Sequence, residues 1–140
     1  MTKKIIGEIK VGVAMSRNVV TIRPDATLKE AHELFQKYDY NAFPVVKDGS
    51  IIGIITKFDI LRAFSVGTRF RVSSFWDTLS ENVSDVMRTA IVSVTPDDEL
   101  QTVVDYMVEF ELRSLPVVEG DKVVGMISRD DLMQHLYLED

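Results

Sequence analysis

The chain has 140 residues, a formal net charge of −6, no cysteine, and a composition 46% hydrophobic and 27% charged. That composition supports a packed core and argues against disorder, while the acidic balance disfavours a nucleic-acid partner, which calls for a basic stripe. Disulfides, thiolate metal sites and cysteine nucleophiles are excluded, and no apolar run approaches the roughly 20 residues of a membrane helix.

Lys3 and Lys4 precede only Ile5 and Ile6 before Gly7 and Glu8 interrupt, too short a run for a signal-peptide core. A soluble, cytoplasmic protein is expected. From Met15 onward the chain repeats itself. Met15, Val20, Pro24, Asp25 and Leu28 recur 72 positions later as Met87, Val92, Pro96, Asp97 and Leu100. The same offset carries Pro44, Val45 and Val46 onto Pro116, Val117 and Val118, and Gly53, Ile55 and Asp59 onto Gly125, Ile127 and Asp131. No gap is needed, so the chain is an internal duplication. It divides into an N-terminal segment (1–10), a first repeat (11–64), a linker (65–82) and a second repeat (83–138).

Each copy reads as β-α-β-β-α, an α/β unit too small to be comfortable alone. NVVTI (18–22) and IVSV (91–94) are short β-branched strands that end before a proline. Leu28, Ala31, Phe35 and Tyr38, and later Leu100, Val103, Met107 and Phe110, recur at helical spacing. Thr27 and Glu30 suit a capping box. FPVVKDGSIIGIIT is two strands around Asp48-Gly49, a hairpin signal; LPVVEGDKVVGMIS repeats it around Gly120-Asp121. Final helices begin near Thr56 and Ser128. In the linker, Phe70, Phe75 and Trp76 either cover a pocket or partner or pack back on the core.

The duplicated stretches GIITKFD (53–59) and GMISRDD (125–131) carry the chemistry. Gly53 and Gly125 allow close approach by a ligand or by another backbone. Thr56 and Ser128 place hydroxyls where strand becomes helix, beside free N–H groups and a positive dipole end. Asp59 and Asp131 offer carboxylates able to accept two hydrogen bonds from a ribose diol. The competing reading is structural, because T-x-x-D is also a helix-capping motif.

The M-S-R-N-V-V-T-I-x-P opening, the F-P-V-V hairpin and the G-I-I-T-x-x-D ending resemble a CBS repeat, and two in tandem resemble a Bateman module. The resemblance implies repeats related by a pseudo-twofold axis, with clefts that hold AMP, ADP, ATP or S-adenosylmethionine as regulatory ligands, and no required cofactor. It implies a regulatory, energy-sensing role, homodimerisation into a disc, and transmission of occupancy to a partner protein. It places residues 16–21 and 88–93, among them Arg17, Asn18, Thr21 and Ser93, with Asn41, Ala42, Phe43 and Pro44 and their counterparts Arg113, Ser114, Leu115 and Pro116, around an adenine slot. Arg113 stands where a phosphate contact is common, and Lys57 and Arg129 are further candidates. Asp130 beside Asp131 weighs against phosphate in the second copy, which ranks GIITKFD above GMISRDD. The alternative to a sensor is a ligand-free dimerisation or interaction scaffold.

An enzyme is not expected. His32 and His135 make no metal-ligand spacing, and no phosphate-binding loop, dinucleotide fingerprint or nucleophile elbow is present. The pairs Asp97-Asp98 and Asp130-Asp131 fall at helix starts, where the dipole favours negative charge.

Overall fold

A computed structural model describes residues 8–65 and 75–135. In chain order the elements are α1 (Val11–Ala14), α2 (Leu28–Lys37), β1 (Ala42–Lys47), β2 (Ser50–Thr56), α3 (Lys57–Ala63), α4 (Phe75–Leu79), α5 (Val83–Val86), α6 (Leu100–Phe110), β3 (Ser114–Glu119), β4 (Lys122–Ser128) and α7 (Arg129–Met133). They form two compact units. The first-repeat unit is Val20–Ile91; the second-repeat unit joins Met1–Val19 to Val92–Asp140. Phe70 and the rest of 66–74 lie outside the described residues.

In the first-repeat unit, β1 and β2 form an antiparallel hairpin. Asp48 and Gly49 turn the chain with φ of 52° and 83°, the two positive values of a type I′ turn. Val45 faces Gly53 and Val46 faces Ile51, so Ile52 bulges out of register. Thr27 and Glu30 cap α2 reciprocally, and α2 buries Leu28, Ala31 and Phe35 against Phe43, Val45 and Ile55. The Phe35 and Phe43 rings lie 4.5 Å apart.

The second-repeat unit repeats this plan with β3 and β4. Its turn has positive φ at Gly120 only, as a type II′ turn requires. Helix α6 lacks the capping box because Glu99, whose side chain makes no cap bond, stands in place of Thr27.

The strands expected at 18–22 and 91–94 shrink to one residue each. Ile22 bridges to Val45 and Val94 to Val117, both parallel. Ile22 donates to the Pro44 carbonyl and accepts from Val46 N–H; Val94 does the same with Pro116 and Val118. Lengthening either ladder would need an N–H from Pro44 or Pro24 in one copy, and from Pro116 or Pro96 in the other. None has one. All four prolines of the chain therefore act as strand terminators.

Each unit also takes in the opening segment of the other repeat. Helix α5 joins the first-repeat unit, where Val83 is wholly buried beside Leu28 and Ile60; helix α1 joins the second, where Val11 is wholly buried beside Leu100 and Leu132. Val83 N–H donates to Ala26 and Leu28 N–H to Glu81; in the other unit Val11 N–H donates to Asp98 and Leu100 N–H to Ile9. The segments end on the second hairpin strands, where Arg88 pairs with Ile54 and Ser16 with Met126 through reciprocal backbone bonds of 2.8 and 2.9 Å.

The two glycines face these segments. A Cβ at Gly53 would lie 2.5 Å from Met87 Sδ and 2.9 Å from the Arg88 carbonyl; at Gly125 it would lie 2.7 Å from Met15 Sδ and 2.9 Å from the Ser16 carbonyl. The methionine can move, but the carbonyl is held in its bridge. Gly53→Ala and Gly125→Ala are each expected to destabilise the protein by about 1–3 kcal/mol, the usual effect of overpacking. Thermal melts would read this as a lower midpoint, and unchanged midpoints would contradict the close approach.

Candidate functional site

Each hairpin ends where its last residue turns from extended backbone into a helix, and that residue is the hydroxyl of the repeated motif. Thr56 has φ −115° and ψ 165° and caps α3. Its Oγ1 accepts from Asp59 N–H at 3.2 Å, and Asp59 Oδ2 accepts from Thr56 N–H and from the hydroxyl, both at 2.9 Å. Ser128 caps α7 in the same way: its Oγ accepts from Asp131 N–H at 3.2 Å, and Asp131 Oδ2 accepts from Ser128 N–H at 2.8 Å. The capping reading of T-x-x-D and S-x-x-D therefore holds in both copies. It occupies one carboxylate oxygen in each.

The remaining oxygens differ. Asp59 Oδ1 accepts from Arg62 Nη2 at 3.1 Å and from Arg88 Nε at 3.0 Å, and the residue has no exposed surface. The two arginine side chains are 45% and 43% exposed. Their partial exposure lets water share the work of solvating the charge. Asp131 is only partly buried, and among the described residues its Oδ1 has no hydrogen-bond partner. The physical cause lies at two positions of the repeat: Arg88 corresponds to Ser16, and Arg62 to Gln134. With a short serine and a neutral amide there, Asp131 has no cationic partner among the described residues. The first copy, which the sequence ranks higher, is thus the one whose carboxylate is fully engaged.

The residues before each proline sit beside these helix starts. Ala42 pairs with Thr56 and Ser114 with Ser128. Lys57 N–H donates to the Asn41 carbonyl at 3.4 Å, and Arg129 N–H to the Arg113 carbonyl at 3.0 Å. The Arg113 backbone is thereby tied to the start of α7 and its side chain is exposed, whereas Arg129 Nε donates to the Leu112 carbonyl at 3.0 Å. Pro44 and Pro116 are buried in their strands. Phe43 and Leu115 are wholly buried in their cores, so their backbones are what they can offer a ligand. Arg17, Asn18 and Ser93 fall in the second-repeat unit and Thr21 in the first; Arg17 Nη2 reaches the Gly12 carbonyl at 3.4 Å.

A separate groove of about 730 Å³ in the first-repeat unit is lined by Arg23, Asp25, Lys47, Asp48 and Asn82 among others. It contains none of the residues assigned from sequence. Arg23 grips Asp25 through two bonds of 3.0 Å, and this hydrogen bonding holds the Asp25 carboxyl below the usual carboxylate range. In the linker, Phe75 and Trp76 are 59% and 69% exposed, with the Phe75 ring tilted against Phe64 at a centroid distance of 5.5 Å. No cluster of three potential metal ligands occurs among the described residues, and no helix among them is long and apolar enough to cross a membrane.

Two copies of a hairpin-and-helix repeat, each ending in a capped carboxylate motif, define a tandem-repeat protein of mixed α and β structure. The CBS domain family model matches residues 6–66 and 83–138, and the chain belongs to that family. It is 32% identical over 119 residues to the CBS domain-containing protein YhcV of Bacillus subtilis, covering 84% of this chain and 79% of that protein. It is 30% identical over 123 residues to the A-adding tRNA nucleotidyltransferase of Geobacter sulfurreducens, covering 88% of this chain but spanning only 13% of that longer protein. Among solved structures, the CBS domain pair of MJ0100 in complex with 5′-methylthioadenosine and S-adenosylmethionine has a TM-score of 0.76 at 22% identity, covering 89% of this chain and 93% of that one. CBSX2 in complex with AMP has a TM-score of 0.76 at 22% identity, covering 90% and 94%. At these identities the likeness is one of fold.

The unequal carboxylates give a direct stability test. Asp131→Ala removes a helix cap and is expected to cost about 1 kcal/mol. Asp59→Ala also removes two charge-assisted bonds to half-exposed arginines and is expected to cost about 1–2 kcal/mol more. Denaturant midpoints at constant slope would separate the two, and equal losses would contradict the assigned role of Arg62 and Arg88.

Proposed function

We propose that this chain is a regulatory module that binds an adenosyl ligand and transmits its occupancy to a partner protein. The observation that carries the reading is Asp131 Oδ1, an oxygen with no partner among the described residues, on a carboxylate whose other oxygen is fixed by the Ser128 cap. A carboxylate held still by one oxygen and open at the other is prepared to accept a ribose hydroxyl without reordering its helix. Arg113 supplies a cation on the adjoining strand end for a phosphate or carboxylate group. The adenosyl compounds named with MJ0100 and CBSX2 support the ligand class.

Charge narrows the choice. A triphosphate brings roughly −4 toward a chain already at −6, against a repulsive field. AMP or zwitterionic S-adenosylmethionine asks for fewer cations and is favoured. Occupancy would act by shifting the population of two arrangements of the module. A cytoplasmic homodimer belongs to this proposal, since Phe58 and Leu61, on one turn of α3, are 61% and 67% exposed; a monomeric mass by light scattering would remove the dimer from it.

The second reading, a ligand-free interaction scaffold, is favoured by Asp59, which is wholly buried and engaged at both oxygens. Thermal melts with AMP, ADP, ATP and S-adenosylmethionine decide between them. A ligand at 100 times its dissociation constant is expected to add about 2.7 kcal/mol, and Asp131→Ala to remove most of that gain. No shift with any of the four at millimolar concentration favours the scaffold.

A further inference from the structure

The two arginines on Asp59 are the largest chemical difference between the copies, and they lie where a ribose would have to bind. We propose that Arg88 is a specificity-determining latch: it occupies the Asp59 oxygen that a diol needs, and it yields to a ligand carrying an anionic group but not to a neutral nucleoside. This rests on the motif being a ribose acceptor.

Arg88 is built to move at its tip alone. Its backbone is pinned to Ile54 by bonds of 2.8 and 2.9 Å, while its side chain is 43% exposed. The guanidinium can therefore swing toward solvent without crossing apolar core. Asp59 cannot turn to meet a ligand, because Oδ2 is held by Thr56 N–H and hydroxyl. Arg62 lies three residues on from Asp59, on the same helix, so Arg88 is the partner that comes from a different segment and can leave independently.

The discrimination follows from charge. A diol that displaces Arg88 replaces a charge-assisted bond between ions by bonds from neutral hydroxyls, which are weaker. A nucleoside alone offers Arg88 no new anion. A nucleoside monophosphate does, since its phosphate can accept from the released guanidinium, and Arg62 stays on Asp59. In the second copy Ser16 occupies the equivalent position, and Asp131 Oδ1 is open among the described residues. The first motif is thus conditional on an anion and the second is not.

Isothermal titration of the full chain with AMP and with adenosine tests this. The wild type is expected to bind AMP at both repeats and adenosine at one. Arg88→Ser, which installs the residue of the other copy, is expected to gain the second adenosine site and to lower the AMP preference there by about tenfold, the difference between charged and neutral hydrogen bonds. If Arg88→Ser fails to fold, Arg88→Gln is expected to show the same gain in weaker form. Adenosine filling both repeats of the wild type, or a single adenosine site retained in the folded variant, overturns the latch alone. Binding of neither ligand by either protein overturns the latch together with the ribose reading.

Discussion

The structure depends on one close approach, the passage of a leading segment across a glycine in the second strand of a hairpin. Met87 and Arg88 cross Gly53, and Met15 and Ser16 cross Gly125, each at distances that leave no room for a Cβ. The crossing fixes the sheet edge by reciprocal backbone bonds and carries Val83 or Val11 into a core. It also sets position 88 beside Asp59 and position 16 on the strand that leads to Asp131. The electrostatics of each motif are therefore decided by a residue from the opening segment of the other repeat.

The prolines impose the complementary constraint. By denying the third strand a second hydrogen-bonded pair, they leave each unit with a two-stranded hairpin, which is marginal in water by itself. Stability must come from the helices laid on it and from the leading segment. The last turn into α3 or α7 is held by a reciprocal cap, which is why the motif aspartates are structural residues first. A ligand role is added on the oxygen the cap does not use. In the first copy that oxygen is already committed.

Much of this was legible in the sequence, and the reasons differ from element to element. The Asp48-Gly49 turn and the Thr56 and Ser128 caps are local, set by residues within three positions of one another, so composition and spacing are enough. The offset of 72 residues exposes the duplication and carries a second signal: Arg88 against Ser16 and Arg62 against Gln134 are two positions where the copies differ in cations around the motif. The Asp59–Arg88 pair spans 29 residues, and no local pattern announces such a contact. The partner of each leading segment is harder still. Val11 and Val83 are the same residue at the same repeat position, so apolar spacing cannot say which hairpin receives which. The strand expected at 18–22 is cut short because β-branched residues favour a strand while Pro24 next to it and Pro44 on the partner strand forbid the ladder.

The central claim is that each unit is completed by the opening segment of the other repeat, and fragment folding tests it most directly. Circular dichroism and thermal melting of residues 20–91 and of residues 11–64, made separately, compare the compact unit with the sequence repeat. The account predicts cooperative unfolding for 20–91, which keeps Val83, Met87 and Arg88, and none for 11–64, which lacks them. Cooperative folding of 11–64 with stability equal to that of 20–91 would contradict it.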